Sequence, residues 1–191
     1  MAGAVGLEID VREFVDLAER FREAGPKAPG AVRRAVNRTG AMADTQVVRA
    51  LTGQTGLKRK IIRKAVHRRP ATAGGLTFVL WSAGGNVALK YFGAKETRRG
   101  VTATPWGQRK LYASAFIKGG LFPRRVAIKR FGGAVLTRAA GAKRLPIKAI
   151  KSGVFIPEEM VKGATAAVFL KTVRAVLPRR LDHEFGRLLA R

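Results

Sequence analysis

The sequence predicts an α+β protein: N-terminal helices, a mostly antiparallel sheet and a C-terminal helix. Three observations carry this. Apolar residues recur at every third or fourth position near both ends of the chain. Doubled glycines at 74–75, 84–85, 119–120 and 132–133 punctuate the middle, with short β-branched or aromatic runs between them. Prolines 26, 70 and 157 fall where one kind of periodicity gives way to another.

Asp10 is placed to cap a first helix whose apolar stripe is Val11, Phe14, Val15, Ala18 and Phe21. Glu13, Asp16, Glu19, Arg20 and Glu23 occupy its other face, and Gly25-Pro26 ends it. A second helix is expected over 28–51, burying Val32, Ala35, Val36, Ala43, Val47, Val48 and Leu51, until Gly53-Gln54-Thr55-Gly56 interrupts it. Thr55 then caps a shorter helix over 57–67. Leu57, Ile61, Ile62 and Ala65 point inward there, while Lys58, Arg59, Lys60, Arg63, Lys64, Arg68 and Arg69 point outward.

After Pro70 the runs 76–81, 87–92, 101–104, 111–117 and 126–131 read as strands. In 111–117, Leu111, Ala113, Ala115 and Ile117 share one face, opposite Tyr112, Ser114 and Phe116. Arg144-Leu145-Pro146-Ile147 reads as an extended edge or loop-end piece with Leu145 and Ile147 packed inward, because proline holds its neighbour at β-like angles. Pro157 opens a C-terminal helix carrying Met160, Val161, Ala164, Val168 and Val173. Pro178 is expected to kink or break it before Leu181, Phe185, Leu188 and Leu189. One domain of 1–191 follows, with a helical part (1–69), a basic β-rich part (70–157) and C-terminal helices (158–191).

Charge is segregated along this plan. Residues 1–44 hold seven acidic and seven basic residues. Residues 45–157 hold 24 Lys and Arg against one carboxylate, Glu96, which places +23 of the chain's net +26 there. A folded protein gains nothing from such self-repulsion, so a polyanionic partner is expected: nucleic acid, or an acidic protein assembly. The candidate contact surface is Lys58, Arg59, Lys60, Arg63, Lys64, Arg68 and Arg69, with Arg124 and Arg125. The chain has no cysteine, which excludes disulfides and thiolate metal sites. Its N-terminus lacks the pattern of a secretion signal, and no apolar run reaches the roughly 18–20 residues of a membrane span. A soluble protein that needs no translocation and no cofactor is expected.

Catalytic patterns do not assemble. There is no phosphate-binding glycine loop followed by Lys and Ser or Thr, and no Gly-x-Ser-x-Gly nucleophile turn. His67 sits among arginines and His183 far from it, so neither has ligand-spaced companions. Asp182 and Glu184 flank His183 but point to different sides of a helix, and Glu158-Glu159 suits a helix N-terminus. The helices at 28–51 and 57–67 do not make a helix-turn-helix reader, because the basic side lacks Asn, Gln or Ser for base edges. Trp81 and Trp106 read as core or interface anchors in preference to base-stacking platforms.

Several strings, in order over about 29–157, resemble the minor tail protein Z family of tailed bacteriophages. They are Ala35-Val36-Asn37-Arg38-Thr39, Arg49-Ala50-Leu51, Thr55-Gly56-Leu57-Lys58 and Leu89-Lys90-Tyr91-Phe92-Gly93-Ala94. Arg98-Arg99-Gly100-Val101-Thr102-Ala103, Ala115-Phe116-Ile117 and Arg144-Leu145-Pro146-Ile147 follow. The chain departs from the family pattern at Ser114 and at Ser152-Gly153-Val154-Phe155-Ile156-Pro157. The resemblance implies a structural virion protein that completes the tail at or near the head–tail junction, as a six-fold ring. Implied partners are further copies of itself, the tail terminator, tail tube and head–tail connector proteins, and packaged DNA; the implied location is the virion neck, with assembly in the host cytoplasm. The alternative reading is a sequence-nonspecific nucleic-acid-binding protein, supported by the net charge. Neither reading requires an enzyme.

Overall fold

Small residues set the packing distance of this chain's central helix. In the computed structural model, α1 (Ala28–Thr55) buries Ala28, Ala31, Ala35, Gly40 and Ala43 together with Val32, Val36, Val47, Val48 and Leu51. Spacing of three and four gathers these on one wide stripe. The structure describes residues 4–9, 11, 22, 25–139 and 145–190. The helix expected from Asp10 to Glu23 lies outside the described residues, apart from Val11, which is buried, and Arg22.

α1 runs four residues past its expected end. Gly53 is exposed and costs a helix only about 1 kcal/mol relative to alanine, so it does not interrupt the ladder. The true stop is Gly56, at φ 74°, whose N–H bonds the Thr52 carbonyl at 3.1 Å. A side chain is excluded there twice over, because a Cβ would stand 2.6 Å from the Gly107 nitrogen. Thr55 is not a cap: its hydroxyl donates to the Leu51 carbonyl at 2.6 Å and accepts the Leu57 N–H at 3.3 Å. The next helix, α2, covers only Arg59–Ala65 and starts from Lys58 without a side-chain cap.

The chain then becomes extended earlier than expected. Val66–Arg69 is a strand, β2, and so His67, Arg68 and Arg69 leave the helix. Pro70 biases Arg69 toward β angles, and pairing with the next strand completes the change. That strand, β3 (Phe78–Ser82), lies between β2 and β1 (Val5–Ile9), both antiparallel to it. The segment 1–69, read as helical, therefore supplies two of the three strands of this sheet. Ile9, Phe78, Leu80 and Val66 face the core, and Phe78 lies directly over Gly40 of α1.

A second antiparallel sheet comprises β4 (Lys95–Thr97), β5 (Gly100–Ala103) and β6 (Lys110–Ala113). β7 (Leu136–Arg138) and β8 (Ile147–Ala149) form a third pair. Three expected strands are cut short or replaced. Residues 87–92 make one bridge, Ala88 to Lys151, and then a 3₁₀ turn over Leu89–Phe92 that buries Leu89 and Phe92 and stops at left-handed Gly93. Ser114, at φ 57°, ends β6, after which Phe116 bridges to Leu136. Val126 bridges Gly119, and Lys129–Phe131 is another 3₁₀ turn. Leu145 is 69% exposed, against the expectation of inward packing, while Ile147 is half-buried at the start of β8; Arg144 lies outside the described residues.

Pro157 sits in the first turn of α3 (Ile156–Met160), which is shorter than expected. The chain breaks at Lys162 and left-handed Gly163, and α4 (Gly163–Leu189) follows. Pro178 does not break α4, because Leu177, Leu181 and Phe185 stay buried on one face either side of it. Arg34 donates to Glu184 at 2.6 Å near one end of the helix pair. At the other end, Gln54 accepts from the Thr165 hydroxyl at 2.9 Å and donates to the Glu159 carboxylate at 2.7 Å. α1 and α4 are therefore antiparallel, clamped at two points about 30 Å apart along α1. The fold is α+β.

Candidate functional site

The basic surface is built on a short helix with a firm apolar underside. Leu57 and Ile62 are fully buried beneath α2, and Ile61 and Ala65 are half-buried. Arg63 does not belong to the open surface in the way the sequence suggests. It donates to Asp44 of α1 at 2.6 Å, and Asp44 is itself buried. This contact ties α2 to α1 and removes one positive charge from the outward set. Screening on the half-exposed arginine side holds its contribution to about 1 kcal/mol.

Lys58, just before α2, and Arg59, Lys60 and Lys64 on it are exposed, and among the described residues none of them forms an ion pair. Arg68 and Arg69 on edge strand β2 are also exposed, and strand alternation points them to opposite faces of the sheet. His67 lies between α2 and these arginines, but on the strand; its ring stacks on Trp81 with centroids 4.6 Å apart. Trp81 is thus a partly exposed surface residue of the sheet's outer face, and Trp106 is likewise partly exposed, its ring tip close to Gly153.

Arg124 and Arg125 belong to a different element. They stand in a loop closed by reciprocal Gly119–Val126 backbone hydrogen bonds of 2.9 Å each. Arg125 is paired with Glu96, which also accepts the Lys118 N–H at 3.1 Å. Glu96, the lone carboxylate of 45–157, therefore fastens this loop to the second sheet. Arg124 remains exposed, beside Leu121 (87% exposed) and Phe122 (47%) at the loop tip.

Beside α2 the structure opens a cleft of about 640 Å³. Lys60, Ile61 and Lys64 form one wall, and the Gly84-Gly85-Asn86 loop, Val87 and Ile156 form others. The loop is positioned by Asn86, which accepts the Gly153 N–H at 2.9 Å, and by Ser152, which donates to the Val87 carbonyl at 2.8 Å. The two lysines are conspicuous in the sequence as part of a basic run, and the opposite wall is not. The doubled glycine at 84–85 read only as a turn, and Ser152-Gly153 carried no signal that it would fold back on residue 86.

Among the described residues, no group of three or more His, Asp or Glu side chains is placed to hold a metal ion. Glu184, read with Asp182 and His183, turns to Arg34, while His183 is more than half exposed. Glu159 is buried and engaged by Gln54 and by Lys162 at 3.0 Å. That ion pair holds the Lys162 ammonium above its ordinary pKa, through the hydrogen bond from Lys162 to Glu159 first and its charge second. Among the described residues no helix is long and apolar enough to cross a membrane. No protein-family model, curated protein or solved structure matches the chain.

Proposed function

We propose that this chain is a structural subunit of a long-tailed bacteriophage, a tail-completion protein that joins a six-fold ring at the head–tail junction. The observation that carries this is the open cationic surface of α2 and β2, where six exposed basic side chains have no ion-pair partner among the described residues. Such a surface calls for an anionic neighbour. The ordered strings from Ala35 to Ile147 that resemble the minor tail protein Z family supply the kind of assembly. Its ring symmetry requires two different patches of one subunit to meet. The clamped helix pair and the Asp44–Arg63 tie support the reading by giving that surface a rigid base.

The role is architectural: the subunit recognises neighbours and performs no chemistry. Sequence-nonspecific duplex binding is the second reading, favoured by Lys58, Arg59, Arg68 and Arg69, which lie outside the cleft lining and are free to meet phosphates. An infection lacking this chain separates the two. Accumulation of filled heads and unjoined tails is the expected result, and a normal yield of joined particles would overturn the proposal.

A further inference from the structure

Lys60 and Lys64 differ from the other basic residues of α2 in what lies next to them. They are one helical turn apart on the wall of the 640 Å³ cleft, whose other lining includes Ile61, Val87 and Ile156. No carboxylate lines it. The volume falls within the roughly 300–1,000 Å³ of ordinary ligand sites. Phosphates gain nothing from an apolar floor, and a stiff duplex cannot reach into a recess of this size to bury one. An apolar chain with acidic side chains satisfies both parts of the lining.

The far wall adds a third feature. Gly84 and Gly85 follow β3 after the single residue Ala83, and among the described residues their backbone groups make no hydrogen bond. Unpaired backbone beside apolar pockets is how an extended peptide is held: main-chain bonds give affinity and alternate side chains give specificity.

We propose that this cleft docks an extended segment of a neighbouring protein, one that alternates acidic and apolar residues. The apolar side chains fill the recess against Ile61, Val87 and Ile156, and the carboxylates reach Lys60 and Lys64. This rests on the structural-subunit reading for the neighbour's presence in the particle, but the binding chemistry is a property of the cleft itself.

The test uses the full-length protein and a fluorescent peptide alternating glutamate and leucine, read by anisotropy. Two control peptides replace all leucines by serine or all glutamates by lysine, and a random duplex DNA is titrated in parallel. Gly85→Phe is the blocking variant. A Cβ at 85 meets no atom within 4 Å and the residue is not in the left-handed region, so the fold accommodates it; circular dichroism checks this. The glutamate–leucine peptide should bind, with both controls weaker by about tenfold or more. Gly85→Phe and the Lys60→Glu, Lys64→Glu double variant should each lose at least about tenfold in peptide affinity. Duplex affinity should be unchanged by Gly85→Phe. Equal binding of the serine peptide, or peptide binding untouched by Gly85→Phe, overturns the proposal. Self-association that disappears in Gly85→Phe would overturn the choice of occupant in favour of a second copy. If the peptide never binds while the double lysine reversal still stops particle assembly, the cleft proposal falls and the structural-subunit reading stands. If the peptide binds as expected but an infection lacking the whole chain yields normal joined particles, the cleft stands and that reading falls.

Discussion

Arg125 is paired with Glu96 across 29 residues, and this contact closes the 119–126 loop onto the second sheet. Glu96 is the only carboxylate among residues 45–157, and its side chain is 9% exposed. Glu96→Gln keeps an acceptor for the Lys118 N–H but leaves Arg125 half-buried without a counter-charge. The loss should be about 1–3 kcal/mol, discounted from a fully buried pair because the arginine retains some solvent. Hydrogen exchange at Gly119 and Val126 should speed up most. Arg124→Gln, on the exposed neighbour, should shift stability by less than about 0.5 kcal/mol. Equal effects of the two substitutions would remove the special role assigned to the pair.

Two glycines of α1 should respond with opposite signs to the same change. At Gly53 an added Cβ meets nothing within 4 Å, so Gly53→Ala should stabilise by up to about 1 kcal/mol through helix propensity. At Gly40 the Cβ would lie 2.4 Å from ring carbons of Phe78, so Gly40→Ala should destabilise despite the same propensity gain. Overpacking of this kind costs about 1–3 kcal/mol or more. Urea midpoints measured side by side check the sign; stabilisation at both sites would contradict the close α1–β3 contact.

Leu145→Asp should be nearly silent. The side chain is 69% exposed, and an exposed carboxylate escapes the burial cost that an inward-facing one would meet. A stability change within about 0.5 kcal/mol is expected, and failure to fold would place Leu145 in the core after all.

Stability should fall on the alkaline side. Lys162 has its pKa raised above 10.5 by the hydrogen bond to Glu159, and burial raises the Tyr112 phenol above 10.0. Both groups hold their protons more tightly folded than unfolded. Their contributions are therefore complete below the unfolded values and are lost as pH rises through the folded ones. Urea unfolding at pH about 9 and about 11 should show the drop, and the Lys162→Met, Tyr112→Phe double variant should show less of it. An unchanged drop in that variant would assign it to other groups.

The long elements were legible in the sequence because their signals are periodic. The stripe from Val32 to Leu51 and the face of Leu181 and Phe185 each repeat often enough to survive an interrupting glycine or proline. The isolation of Glu96 was equally visible, although its partner was not. What escaped depends on contacts between distant segments. Val5, Leu7 and Ile9 alternate in only five residues, and β2 is an edge strand with a single apolar residue, Val66. Their strand character comes from β3. Lys60 and Lys64 were legible as positive charge on a helix face, but the cleft needed residues 84–86 brought beside them by Ser152 and Gly153. Arg63 and Arg125 were counted as free charge because their partners, Asp44 and Glu96, lie 19 and 29 residues away.

The most direct measurement is an electron-microscopic reconstruction of the particle that carries this chain, with the symmetry of the neck determined without imposing it. The expected result is six copies in a ring at the head–tail junction, with the cleft beside Lys60 and Lys64 filled by an acidic segment of an adjacent protein. A single copy, or a location outside the tail and neck, would contradict the proposed function.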